Sequence, residues 1–128
     1  MSVETLQDFG QTPQAPSGHV IGFVDTQNGC DAVTNALVSA GISNERIIVL
    51  HGENGRNLLD RMMDGFLWGE EAEQVMREGE KELLAKHFVL CVQAKERDEG
   101  LRIAMLAESQ GGHGFTHFGS VIDVRLTA

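Results

Sequence analysis

The chain has 128 residues, 41% of them hydrophobic, and a formal net charge of −9. That suffices for one domain around one core, and the acidic balance, with no basic stripe or RNA-binding aromatic motif, argues against nucleic acid as a partner. No apolar run approaches a bilayer span and the polar start MSVETLQDFGQTPQAPSG has no signal-peptide pattern, so a cytoplasmic protein without a membrane partner is expected. Two distant cysteines, Cys30 and Cys91, make neither a disulfide framework nor a CxxC metal motif.

Residues 1–18, with Pro13, Pro16, Gly10 and Gly18, read as a flexible arm, and 19–128 as a single domain. HVIGFVD, from His19, is strand-like and apolar on both faces: Ile21 and Phe23 to one side, Val20 and Val24 to the other. Asn28 is a candidate N-cap with Asp31 inside the first turn. Val33, Ala36, Leu37 and Ala40 then repeat at helical spacing, and Gly41 supplies the stop. RIIVLH, from Arg46 to His51, is β-branched and predicts the second strand.

An insertion over about 52–86 is predicted to hold two helices, one around Leu58 to Phe66 and one from Glu70 to Lys86. Glu70, Glu71 and Glu73 suit a helix start, Lys81 and Lys86 its end. Val75, Met76, Leu83 and Leu84 form the apolar stripe, interrupted by Gly79 at a cost of about 1 kcal/mol relative to alanine. The third strand is expected from His87 to Ala94. A second core helix follows on Leu101, Ala104, Met105 and Ala107 and ends at Gly111 and Gly112, before a last strand from Phe115 to Leu126.

This is a β-α-β unit written twice. It predicts an α+β, ferredoxin-like split β-α-β sandwich with a helical insertion between strands 2 and 3. Helices of the two units cover one sheet face, yet the strands are apolar on both. Leu59, Met62, Met63, Phe66, Leu67 and Trp68 of the insertion are expected to cover the other face, or a second subunit meets it. Core packing is the ordinary reading of that Met and aromatic cluster. A homo-oligomer through the open sheet face or the last strand is compatible with either.

Five histidines carry what site chemistry can be read. With strand order 4-1-3-2, the starts of strands one and three and the end of strand two are expected at one edge, bringing His19, His87 and His51 into a row. Neighbouring strands lie about 4.8 Å apart, so such imidazoles could share a metal, with Glu53 as a fourth group. The competing reading is ordinary polar residues at strand ends, since one slip in register inverts every side chain. In GGHGFTHFG, the glycines allow a turn whose amides face a small anionic ligand, with His113, Gly114, His117 and Gly119 around it. A helix stop and a strand bulge explain the same residues. Four extended residues span roughly 13 Å, too far for His113 and His117 to share one ion without a distortion.

GENGRN lacks the pattern of a phosphate-binding loop, and the glutamates from Glu70 to Glu82 read as a solvated helix face. Cys91 is expected to be buried; Cys30, near a helix start, is the better redox candidate of the two, but with no partnering base an inert thiol is the favoured reading. No motif names a cofactor.

VIGFVDTQNGCDAVTNALVSAG, IIVLHGENG, HFVLCVQ and the closing GGHGFTHFG resemble a family of small bacterial proteins of unknown function, loosely similar to general stress proteins, over about residues 19–126. In such proteins an aromatic residue often follows the FG pair by about two positions, where Val121 and Ile122 stand here. The resemblance implies a ferredoxin-like fold and a stress or regulatory context, and assigns no catalytic residue. The resulting expectation is an oligomeric, ligand-responsive or stress-associated accessory module without turnover. Its rivals are a metal-binding protein or enzyme using the histidines, and a purely structural assembly unit.

Overall fold

The computed structural model describes residues 18–63 and 70–118. Its elements are β1 (His19–Val24), α1 (Gln27–Ser39), a 3₁₀ turn (Asn44–Arg46), β2 (Ile47–His51), α2 (Gly52–Met63), α3 (Glu70–Leu84), β3 (Phe88–Gln93), α4 (Arg97–Ser109) and β4 (His113–Phe118). The strands form one open sheet in the order β2-β3-β1-β4, every neighbouring pair antiparallel. The chain is therefore α+β. The N-terminal arm, Phe66 to Trp68, Gly119 and the continuation of the last strand to Leu126 lie outside the described residues.

Apolar groups on both faces of each strand demand a helix layer on each side, and the chain supplies both. Val20, Val24, Leu90 and Val92 pack with Val33 and Leu37 of α1 and Ile103, Ala104 and Ala107 of α4. On the opposite face Ile21, Phe23, Ile48, Leu50, Val89 and Cys91 pack with Leu58 and Leu59 of α2 and Met76 and Leu83 of α3. The insertion thus covers the face that the two β-α-β helices leave bare. Leu59 lies in that layer as expected, so the open face read as an oligomer interface is covered from within the chain. Gly79 does more than interrupt a stripe: a Cβ there would sit 3.2 Å from Leu59 and 3.5 Å from Phe23, so the glycine lets α3 approach α2 and the sheet.

Three helices stop by the same device, in which two amides after the last turn reach back to its carbonyls around one left-handed residue. After α1 it is Gly41, with Ile42 N donating to Leu37 O at 3.0 Å; after α4 it is Gly111, with Gly112 N donating to Ala107 O at 2.9 Å. After α3 it is Lys86 at φ 70, with His87 N donating to Glu82 O at 2.8 Å.

Several boundaries and faces differ from the sequence expectation. Thr26, not Asn28, caps α1, its side chain accepting from Gly29 N at 3.0 Å, because β1 ends at Val24 and leaves Thr26 extended. Helix α2 starts at Gly52, directly after β2, where Gly55 can approach the Leu50 backbone closely. In α4 Leu101 and Met105 are 45% and 72% exposed while Ile103 takes the core position, and in α3 Leu84 is 60% exposed. Ala104 and Ala107 of α4 and Met76 and Leu83 of α3 are buried as spacing suggests, while Leu101, Met105 and Leu84 fall outside the buried stripe, because packing on the sheet, not the apolar content of the helix itself, sets its limits.

Candidate functional site

Antiparallel pairing decides where the histidines go. Antiparallel neighbours in the sheet start at opposite ends, so His19, paired with Gln93 and Phe118, stands at one end of the sheet. His51, paired with Phe88, and His87, just before β3, stand at the other. The predicted row of His19, His51 and His87 is therefore not formed. His51 stacks on Phe88 at a ring separation of 4.2 Å and donates from Nδ1 to the His87 carbonyl at 3.2 Å. His19 lines a cleft of about 340 Å³ at the far end with Glu45, Arg46, Ile48 and Gln93. There Arg46 is committed to Glu99 at 2.7 Å and to the Gln93 carbonyl at 2.7 Å.

His113 and His117 part in the same way. The register shift between Ile21 and Phe23, opposite Gly114 at φ 67, sets His113 beside Phe23, at a ring separation of 5.8 Å. Phe115, one residue beyond Gly114, fills the α1–α4 core. His117 faces α4, where a Cβ on Gly100 would collide with its ring, and it donates from Nε2 to Ala94 O at 2.8 Å. It is a structural clamp between β4, α4 and the end of β3. Gly114 serves as the bulge residue: a Cβ there would lie 2.8 Å from the Phe23 ring. The amide of Phe115 is satisfied by Glu108 Oε2 at 3.2 Å.

What the fold does assemble is a carboxylate–imidazole cluster at the end where β1 stops and β3 and β4 start. Asp25 is the first residue past β1, Glu82 lies in the last turn of α3, His87 in the turn before β3, and His113 opens β4. His113 donates from Nε2 to Asp25 Oδ1 at 2.8 Å and His87 from Nδ1 to Glu82 Oε1 at 2.8 Å. Two longer contacts tie the pairs together: His87 Nδ1 to Asp25 Oδ1 at 3.3 Å and His113 Nε2 to Glu82 Oε1 at 3.8 Å. The left-handed turn at Lys86 explains the second pair. It folds His87 back over Glu82, so that these residues are joined by backbone and side chain at once.

The four groups differ in access to water. The Glu82 side chain is only 16% exposed, whereas Asp25 and His113 are 58% and 46% exposed. The hydrogen bond from His113 holds the Asp25 carboxyl below its usual 3.8; partial desolvation acts against this, and the charges of His113 and His87 reinforce it. One ligand atom each from Asp25, Glu82 and His113 lies within 4.8 Å of the other two, the compact O, O, N arrangement that a cation fits and an anion does not.

Sequence reasoning misses both carboxylates. Asp25 closes the motif HVIGFVD, at the strand end where such sites collect. Glu82 reads as part of a solvated face, although it borders the inward stripe of Met76, Gly79 and Leu83. The thiols take no part: both are buried, Cys30 being pushed up to about 11 by burial and then by the Asp31 charge, and Cys91 to about 12 by burial. For Cys30 that setting favours the inert thiol over the redox alternative.

No protein-family model, no curated protein and no solved structure matches the chain. No helix among the described residues is long and apolar enough to cross a membrane.

Proposed function

We propose that this chain is a ferredoxin-like accessory module that binds a cationic ligand at the Asp25, Glu82, His87 and His113 cluster, and that its role is binding rather than turnover. The ferredoxin-like reading is supported by the strand order and antiparallel sense of the sheet, with the insertion between β2 and β3 as a third layer. One observation carries the functional reading: two carboxylates and two imidazoles, brought from four separate places in the chain, meet within hydrogen-bonding distance at one solvent-accessible end. Two carboxylates this close repel, and a bound cation offsets that repulsion. Because the cluster joins the ends of β1, β3 and β4 to α3, a ligand there tightens the contact between α3 and the sheet, which suits a ligand-responsive module. The stress-associated context rests on the resemblance of GGHGFTHFG and its neighbours alone.

Native mass spectrometry of the purified chain, set beside its denatured mass, tests the reading. An added mass lost on denaturation and absent from Asp25→Asn supports it. An adduct that persists in that variant moves the ligand elsewhere, and no adduct together with no cation-dependent shift in melting temperature removes the reading. A structural assembly role is the alternative, favoured by Leu101 and Met105, exposed one helical turn apart on α4. The same spectrum would then show a homo-oligomer without an adduct.

A further inference from the structure

We propose, building on the cationic-ligand reading above, that Asp25, Glu82 and His113 bind one divalent transition-metal ion of the zinc class, with His87 holding the two carboxylates in place. The donor set selects the ion. Two carboxylate oxygens and one imidazole nitrogen suit zinc, cobalt or manganese; calcium favours six to eight oxygens, and copper(I) needs the thiols or thioethers that this cluster lacks. Donors about 2.1 Å from a tetrahedral ion lie roughly 3.4 Å from one another. His113 Nε2 is 2.8 Å from Asp25 Oδ1 and 3.8 Å from Glu82 Oε1, on either side of that spacing, so small side-chain rotations complete the site.

Each ligand has a physical reason to be where it is. The Gly114 bulge turns His113 toward Glu82. Burial of Met76 and Leu83 fixes the last turns of α3 and thereby Glu82, while Asp25 leaves the rigid end of β1. On metal binding His113 gives up its Nε2–H hydrogen bond to Asp25: the ring proton resides on Nδ1, the Nε2 lone pair goes to the ion, and water fills the remaining position. His87 is a positioning residue. Its Nδ1–H reaches Glu82 Oε1 at 2.8 Å and Asp25 Oδ1 at 3.3 Å, so it bridges the two oxygens that face the ion, as the hydrogen-bonded supports of metal ligands do. The two carboxylates cancel the charge of a divalent ion, and a chain of net charge −9 draws cations toward it.

The test is titration of the chelator-stripped full chain with zinc chloride by calorimetry and with cobalt chloride by visible absorption. One equivalent and the intense bands of low-symmetry cobalt are expected. Asp25→Asn and Glu82→Gln should each weaken binding by roughly 100-fold or more, and His87→Gln by about 10- to 100-fold with the cobalt bands retained. His19→Gln, at the opposite end of the sheet, should leave binding unchanged. His113→Ala should abolish the imidazole-dependent part of the spectrum; should it fail to fold, Asp25→Asn, at an exposed position, carries the test. Binding that is absent, or equally tight in Asp25→Asn and Glu82→Gln, overturns the metal site. Spermidine serves as the second probe: a melting shift from spermidine that Asp25→Asn removes, without metal binding, leaves the cationic-ligand reading standing, and no response to either probe removes both.

Discussion

Gly114 links the fold to the site, and replacing it by alanine has a cost that can be worked out in two parts. Its φ of 67 lies in the left-handed region, where a Cβ costs about 1–2 kcal/mol. That Cβ would also stand 2.8 and 2.9 Å from two carbons of the Phe23 ring. Phe23 is 3% exposed and cannot withdraw into solvent, so the overpacking adds about 1–3 kcal/mol. Gly52 separates the two parts, because it has the same φ of 67 and a Cβ added there would meet nothing within 4 Å. Gly52→Ala should therefore cost about 1–2 kcal/mol by urea denaturation and Gly114→Ala about 2–5 kcal/mol. The His113 imidazole resonances should shift in Gly114→Ala alone. Equal losses in the two variants would refute the close approach to Phe23 and with it the account of how His113 is aimed.

Met76 is fully buried between α3 and the sheet, so Met76→Ala should cost about 2–5 kcal/mol, whereas Leu84→Ala, at a site 60% exposed, should stay within about 0.5 kcal/mol; equal losses in a urea titration would mean that the α3 face is misassigned. Lys86 holds a left-handed conformation that glycine takes freely, so Lys86→Gly should raise stability by roughly 0.5–1 kcal/mol, and a lower urea midpoint would show that the lysine side chain contributes more than its backbone costs. With the thiols raised to about 11 and about 12, neither Cys30 nor Cys91 should react with a disulfide reagent at neutral pH until the chain is unfolded; rapid native labelling would contradict their burial. The Asp25 carboxyl titrates below 3.8 in the folded chain, so its contribution is complete above that value and is lost as pH falls through the lower folded one. The melting temperatures of wild type and Asp25→Asn should accordingly converge in acid, and a gap that stays constant with pH would exclude the His113 contact as its source.

Local chemistry was legible where it is a property of a few neighbouring residues. The β-branched runs at His19, Ile47 and Phe88, the helical spacing after Gln27, and the glycine stops at Gly41 and Gly111 all follow from backbone preference and side-chain period, and each forms an element. Apolar residues on both faces of the strands also announced a third layer, because a sheet face of that kind cannot be left to water. The site was not legible in this way. Strand direction alone separates His19 from His51 and His87: β3 runs against β1, so their starts lie at opposite ends, and β2 runs with β1, so its end lies opposite the start of β1. A single bulge at Gly114 separates His113 from His117, and the rotation of α3 on the sheet turns Glu82 from a charged outer face toward Asp25, His87 and His113. Sequence by itself therefore determined which segments are strands and helices and that both sheet faces need cover. Only the tertiary structure decided which polar groups meet, because Asp25 and His113 lie 88 residues apart and their contact depends on register, helix rotation and strand sense rather than on either residue's neighbours.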